Sequence, residues 1–242
     1  MIYDEIKRFY DNYKGKKCVI GYSFYGKEIF AFHIGSPVGR QFISTYAIHG
    51  REWITARLAV KHIKRGVKKG GGWVIPLVNP DGAKISQTVK PMWKANARGV
   101  DLNCNFDADW GSGRLNTAER GGENCIGDYP FSEAETAALR DFTLKIRPFV
   151  TLSFHTKGEE IYWQYDGAGD SRGAQILSAA TGYESKIIYG SAGGYKDWCI
   201  KKLGIPAYTI ECGFDGLAHP ITELQHLKKC FDALKYFIEN YG

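Results

Sequence analysis

Residues 41–52 read Gln-Phe-Ile-Ser-Thr-Tyr-Ala-Ile-His-Gly-Arg-Glu. Gln41–Ile48 is rich in β-branched and aromatic residues, which suits a strand, and the strand ends directly at His49. Beyond it Ile54, Leu58, Val60 and Ile63 form a helical stripe, so Ile54 to Lys64 reads as a helix that Gly66 closes. A strand running straight into a helix is the unit of an α/β sheet. The polar residues at this junction, His49 and Glu52, stand at the carboxyl edge, where open sheets bind ligands.

The pattern recurs twice. Phe149–Phe154 is a buried-type strand ending at His155, and Ala207–Ile210 is another ending at Glu211. Upstream, Lys17–Ser23 and Glu28–Ile34 read as strands around a Tyr25-Gly26-Lys27 turn. Trp73–Val78 is wholly apolar and leads into a turn at Asn79-Pro80-Asp81-Gly82. Ser132-Glu-Ala-Glu135 has the form of a capping box, opening a helix that runs to Ile146. A closing helix carries Leu224, Leu227, Phe231, Leu234 and Ile238 on one face, and glycine-rich Gly111–Tyr129 reads as a long surface loop. Strands alternating with helices predict an α/β fold: a mixed, mostly parallel twisted β-sheet with helices on both faces. No linker, repeat or composition break divides the chain, so residues 1–242 are expected to form a single domain.

Composition narrows the function classes. With 44% hydrophobic, 24% charged and 14% aromatic residues in 242, the chain is neither collagen, coiled coil nor low-complexity filament. A chain of this length buries about 70–75% of its extended surface and needs no disulfide or metal to hold its core. The net charge of +6 is partly local, in Lys61, Lys64, Arg65, Lys68 and Lys69 near one helix end, where cations complement the helix dipole. No nucleic-acid-binding motif accompanies them, and no run approaches the ~18 apolar residues of a membrane span, so neither nucleic acid nor membrane is an expected partner. Cys18, Cys104, Cys125, Cys199, Cys212 and Cys230 lie far apart without a C-x-x-C pair, which reads as reduced intracellular cysteine. The start, Met1-Ile-Tyr-Asp-Glu-Ile-Lys-Arg, lacks the apolar run of a signal peptide, and the expectation is a cytoplasmic chain.

His49 and Glu52 are three residues apart, a spacing that brings side chains within about 5–6 Å in a helical turn and suits chelation. The pair is common by chance, so a third ligand decides the reading, and His155 is the candidate by its strand-end position. Two imidazoles and one carboxylate leave a tetrahedral zinc ion an open position, the catalytic pattern. His33, His62 and His219 have no such context and read as surface or satisfied histidines.

Six blocks carry a wider resemblance: His-Gly-Arg-Glu-Trp (49–53), Val-Asn-Pro-Asp-Gly (78–82), Asn-Ala-Arg-Gly-Val-Asp-Leu-Asn (96–103), Ser-Phe-His (153–155), Tyr-Gly-Ser-Ala-Gly-Gly-Tyr-Lys-Asp-Trp (189–198) and Tyr-Thr-Ile-Glu (208–211). In these blocks and their order the chain resembles the zinc carboxypeptidase family. The resemblance implies a metallopeptidase with one zinc ion per chain on His49, Glu52 and His155. It also implies Glu211 as general base and Tyr189 on a mobile loop freed by Gly190, Gly193 and Gly194. Arg98 is the candidate oxyanion partner from the family's arginine-bearing block, with Arg51 competing.

Two positions depart from the family's exopeptidases. Cys104 follows Asn103 where they have an arginine for the substrate's terminal carboxylate, and a thiol offers no fixed charge. Lys196 occupies the position that selects the downstream side chain, where a lysine favours a carboxylate. Asn103, Cys104 and Lys196 are thus the implied substrate-binding positions. Murein stem peptides fit, since in γ-D-glutamyl–meso-diaminopimelate the residue after the scissile amide bears a second carboxylate. The segment His-Thr-Lys-Gly-Glu-Glu-Ile-Tyr-Trp (155–163) is similar to that of the family's murein γ-D-glutamyl–diaminopimelate amidases; in it Glu160–Tyr165 reads as a strand whose Tyr162 and Trp163 wall the cleft. A carboxypeptidase acting on ordinary peptides, with a preference for acidic C-termini, is the alternative.

Overall fold

Alternation along each strand assigns successive side chains to opposite faces of a sheet, and here both faces are apolar. The computed structural model describes residues 1–241. Its helices are α1 (Ile2–Asn12), α2 (Ile54–Arg65), α3 (Pro80–Thr88), α4 (Ala134–Ile146), α5 (Ser171–Thr181), α6 (Tyr195–Leu203) and α7 (Ala233–Tyr241). Its strands are β1 (Lys17–Tyr22), β2 (Glu28–Gly35), β3 (Gln41–Tyr46), β4 (Gly71–Ile75), β5 (Val150–His155), β6 (Glu160–Tyr162), β7 (Gln164–Tyr165), β8 (Ala168–Gly169), β9 (Glu184–Lys186) and β10 (Ala207–Glu211).

Eight strands form one sheet in the order β1-β2-β4-β3-β5-β10-β6-β9, while β7 and β8 form a separate ribbon. The β3–β4, β3–β5, β5–β10 and β6–β9 pairs run parallel, the other three antiparallel. This is the mixed, mostly parallel sheet expected. Phe30, Phe32 and Ile34 of β2 enter one core with α1, α2, α5 and α7. Ile29 and Ala31 enter the other, beneath Leu139 and Phe142 of α4 and Trp198 and Ile200 of α6. Each fully buried Phe, Ile or Leu contributes about 1.5–3 kcal/mol. Layers on both faces therefore fix the register of the strands between them.

Some local readings need correction. Asn79-Pro80-Asp81-Gly82 is not a free turn but the start of α3: Asn79 caps it by accepting from Gly82 N at 2.8 Å, and proline is at home in a first turn. Ser132 caps nothing. Glu133 holds the N-cap position of α4 without a side-chain bond, and Asn105 Oδ1 instead accepts from Glu133 N at 3.3 Å and Thr136 Oγ1 at 2.7 Å. The closing helix is two pieces, a 3₁₀ segment Leu224–Cys230 and then α7. His62 is a satisfied core histidine: Tyr46 Oη lies 2.6 Å from its Nδ1, and its Nε2 donates to Cys230 O at 2.8 Å. All six cysteines are free thiols. Among the described residues no helix is long and apolar enough to cross a membrane.

Candidate active site

Three neighbouring parallel strands build the site. β3, β5 and β10 lie side by side with Tyr46 opposite Phe154 and His155 opposite Glu211, so their carboxyl ends finish level. After β3 the chain turns at Ala47, whose φ of 48° is left-handed and costs about 1 kcal/mol or more for an L residue. Its amide donates to Thr55 Oγ1 at 2.8 Å and its carbonyl accepts from Asn79 N at 3.1 Å, which holds the bend and aims His49 off the sheet edge. His49 then opens a 3₁₀ turn, Gly50–Glu52. This turn is pressed on α3: a Cβ at Gly50 would stand 2.6 Å from Gly82 C and 2.8 Å from Trp93 O, both backbone atoms, so only glycine fits.

The ligating atoms converge. One donor atom each from His49, Glu52 and His155 lies within 4.8 Å of the others, and all three side chains are buried. His49 Nδ1 is 2.8 Å from Glu52 Oε1 and 3.3 Å from His155 Nδ1, while His155 Nδ1 is 3.1 Å from Glu52 Oε2. The outer nitrogens are engaged elsewhere. His49 Nε2 meets Asp101 Oδ1 at 3.1 Å, and His155 Nε2 meets Ser153 Oγ at 3.0 Å, itself bonded to Thr45 Oγ1. Fixing the outer nitrogen sets the inward lone pair of each ring. Glu52 Oε2 is a buried oxygen with no hydrogen bond of normal geometry. Two imidazole nitrogens and a carboxylate oxygen around one point fit zinc, whose common donors these are.

Electrostatics couple these groups to one another. Burial opposes charge on Glu52, yet His49 and His155 hold its carboxyl far below the usual range. Burial likewise opposes charge on His49, but Glu52 and Asp101 outweigh it and raise its pKa to about 9. His155 shifts the other way, lowered chiefly by burial. Asp101 is held well below its ordinary value in spite of burial, first by Lys94 and then by His49. Glu211 is pushed up by its burial and by the nearby charge of Glu52. Such a carboxylate, short of stabilising partners, readily takes a proton.

Glu211 and His49 line a cavity of about 280 Å³. The cavity is also lined by Asn103, Cys104, Tyr189 and Lys196. Tyr189 is 79% exposed on the loop before α6. Cys104 is buried, and burial raises its thiol pKa, so it stays protonated. Asn103 turns its amide oxygen to Tyr195 N at 3.1 Å. Lys196 is already engaged, 2.5 Å from Asp197 Oδ1 and donating to Gln164 O at 2.8 Å. Tyr162 borders the cavity, whereas Trp163 packs on the core and does not wall the cleft.

Arg98 is not brought to the site. Its guanidinium pairs with Asp128 at 3.1 Å and Glu133 at 3.6 Å and lies over the Phe24 ring, outside the cavity lining. Arg51 pairs with Glu123 and is also outside it. The cation beside the ligands is Lys94, on the cavity wall and 2.7 Å from Asp101 Oδ2. The only sequence signal for Lys94 was its basic charge upstream of the Asn96–Asn103 block, and for Asp101 its place inside that block.

Comparison with known proteins agrees with this geometry. The sequence profile of a family described as zinc carboxypeptidase matches residues 2–176. Gamma-D-glutamyl-L-diamino acid endopeptidase 1 of Lysinibacillus sphaericus is 27% identical over 234 residues, covering 79% of this chain; the chain spans 59% of that relative's length. The murein-tripeptide amidase MpaA of Escherichia coli O157 superposes with a TM-score of 0.66 at 25% identity, over 95% of this chain and 92% of that one. Bovine thrombin-activatable fibrinolysis inhibitor, solved with tick carboxypeptidase inhibitor, shares the fold at a TM-score of 0.84 and 21% identity, over 98% and 93% of the two chains.

Proposed function

The chain belongs to the zinc carboxypeptidase family, and from that premise we propose that it is a zinc-dependent amidohydrolase cleaving the γ-D-glutamyl–diaminopimelate bond of murein peptides. The observation that carries the chemistry is the level finish of β3, β5 and β10, which gathers His49, His155 and Glu211 at one edge, with Glu52 one turn on. Support for the substrate comes from the two relatives named for γ-D-glutamyl and murein peptides, and from Cys104 standing where exopeptidases of the resemblance carry arginine.

His49, Glu52 and His155 would hold the zinc, one ion per chain. Zinc in such a site supplies Lewis-acid activation of water near neutral pH. Glu211 takes the proton of the attacking water and passes it to the leaving amine as the C–N bond breaks. Its depleted surroundings raise its proton affinity toward what that task needs. Lys94, anchored by Asp101, sets a fixed positive charge beside the carbonyl oxygen on which negative charge develops. Tyr189, on its glycine-rich loop, closes over the bound peptide.

Glu211→Gln tests the assignment. The variant is expected to keep about one zinc per chain and its thermal midpoint, and to lose roughly 10²- to 10⁴-fold in kcat. Turnover at the parent rate would remove Glu211 from its role. Murein tripeptide incubated beside an ordinary peptide tests the substrate: cleavage of the ordinary peptide alone makes the enzyme a carboxypeptidase instead.

A further inference from the structure

Three lysine or arginine side chains line the cavity: Lys94, Lys196 and Arg114. Two are neutralised within the protein, Lys94 by Asp101 at 2.7 Å and Lys196 by Asp197 at 2.5 Å. Lys196 also spends a second proton on Gln164 O, so the charge that the sequence offers to a substrate carboxylate is already matched. Arg114 differs. Among the described residues no carboxylate lies within ion-pairing distance of it, and its one bond is from its backbone amide to Gly190 O at 2.9 Å.

Its backbone is held in place all the same. Asn116 Oδ1 accepts from Gly113 N at 2.7 Å and Asn116 N donates to Gly113 O at 2.9 Å, closing a turn that projects Arg114. The arginine lies across Gly190: a Cβ built there would be 3.4 Å from Arg114 Cβ and 3.9 Å from its Nε. At its far end the same loop rests on Cys104, since a Cβ on Gly193 would meet Cys104 O at 2.6 Å. Arg114 and Cys104 therefore flank one segment, 190–193, of the cavity wall. The side chain at 104 carries no charge, and the uncompensated cation stands across that segment.

We propose that Arg114 binds a substrate carboxylate, the free carboxylate of the residue on the leaving-amine side of the scissile bond. A guanidinium fork with no internal partner matches a carboxylate in two parallel hydrogen bonds and requires no ion pair to be broken first. This rests on the reading of the cavity as an amide-hydrolysing cleft, and it adds the group that selects which amides enter.

The test compares each substrate with its C-terminal amide, for murein tripeptide and for an ordinary N-acyl dipeptide. The quantity read is the ratio of kcat/KM for free acid over amide. Arg114→Gln is expected to lower that ratio about 10- to 100-fold, mainly through KM, as for a lost charge-assisted pair. Arg114→Lys should restore part of it, and thermal midpoints should match because the side chain is exposed. A ratio unchanged by Arg114→Gln overturns the proposal. If murein tripeptide is not cut but the dipeptide is, the substrate reading fails, and the dipeptide ratio still decides on Arg114. If neither is cut, calorimetric binding of acid and amide supplies the ratio.

Discussion

Asp101→Asn separates two functions of one buried carboxylate. Asp101 takes a contact from His49 Nε2 at 3.1 Å, accepts from Asn103 N at 2.9 Å, and pairs with Lys94 at 2.7 Å. Asparagine preserves the volume and removes the charge. Lys94, largely buried, is then left without its carboxylate, and breaking a buried pair in this way destabilises by about 3–5 kcal/mol. For a chain of this size, about 2–4 °C per kcal/mol puts the metal-free midpoint roughly 10 °C lower. His49 meanwhile loses the partner that orients its ring, which weakens zinc binding about 10- to 100-fold. At fixed free zinc that is about 1.4–2.7 kcal/mol less zinc-dependent stabilisation. Thermal melts with and without zinc, plus competition against a chelator, read the two effects apart. The double variant Lys94→Met/Asp101→Asn should recover metal-free stability but not zinc affinity. An unchanged zinc increment in Asp101→Asn, or a double variant as fragile as the single, would refute the reasoning.

Two further outcomes follow from the fold. Burial lowers the pKa of His62 to about 4, below its ordinary 6.5, so between those pH values the unfolded chain binds the extra proton. The resulting stability, about 3 kcal/mol, is whole above pH 6.5 and disappears as pH falls to 4. Denaturant titrations should show His62→Gln less stable than the parent at pH 7 and the gap narrowing toward pH 4; a gap independent of pH sinks this account. Gly50→Ala forces a methyl group against backbone at 2.6 and 2.8 Å and should cost about 1–3 kcal/mol with weakened zinc uptake, whereas parent-like melting and metal content would show the turn can yield.

The three strand-end residues were legible because an apolar run that stops at His or Glu signals both a buried strand and an exposed edge. That the three strands are hydrogen-bonded neighbours was not legible, because order within a sheet is decided by packing of distant segments. The same limit hid Lys94, whose partner lies in a different turn, and misplaced Arg98, which is drawn off by Asp128 and Glu133. The reading of Ser132 as a cap failed for a related reason, since Asn105 reached the helix start from outside the local sequence. Helix α1 is legible by its pattern, since Ile2, Ile6, Phe9 and Tyr10 recur at helical spacing and pack on the core.

The left-handed bend at Ala47 has a bearing on metal supply. It is locked by Thr55 and Asn79, and both imidazoles are pinned from outside by Asp101 and Ser153, so the cradle keeps its shape through contacts that need no ion. Unlike a small domain that collapses only around its metal, such a chain can wait, folded and idle, for delivery. The fraction at work in a cell would then follow availability of the ion rather than the chain's own folding.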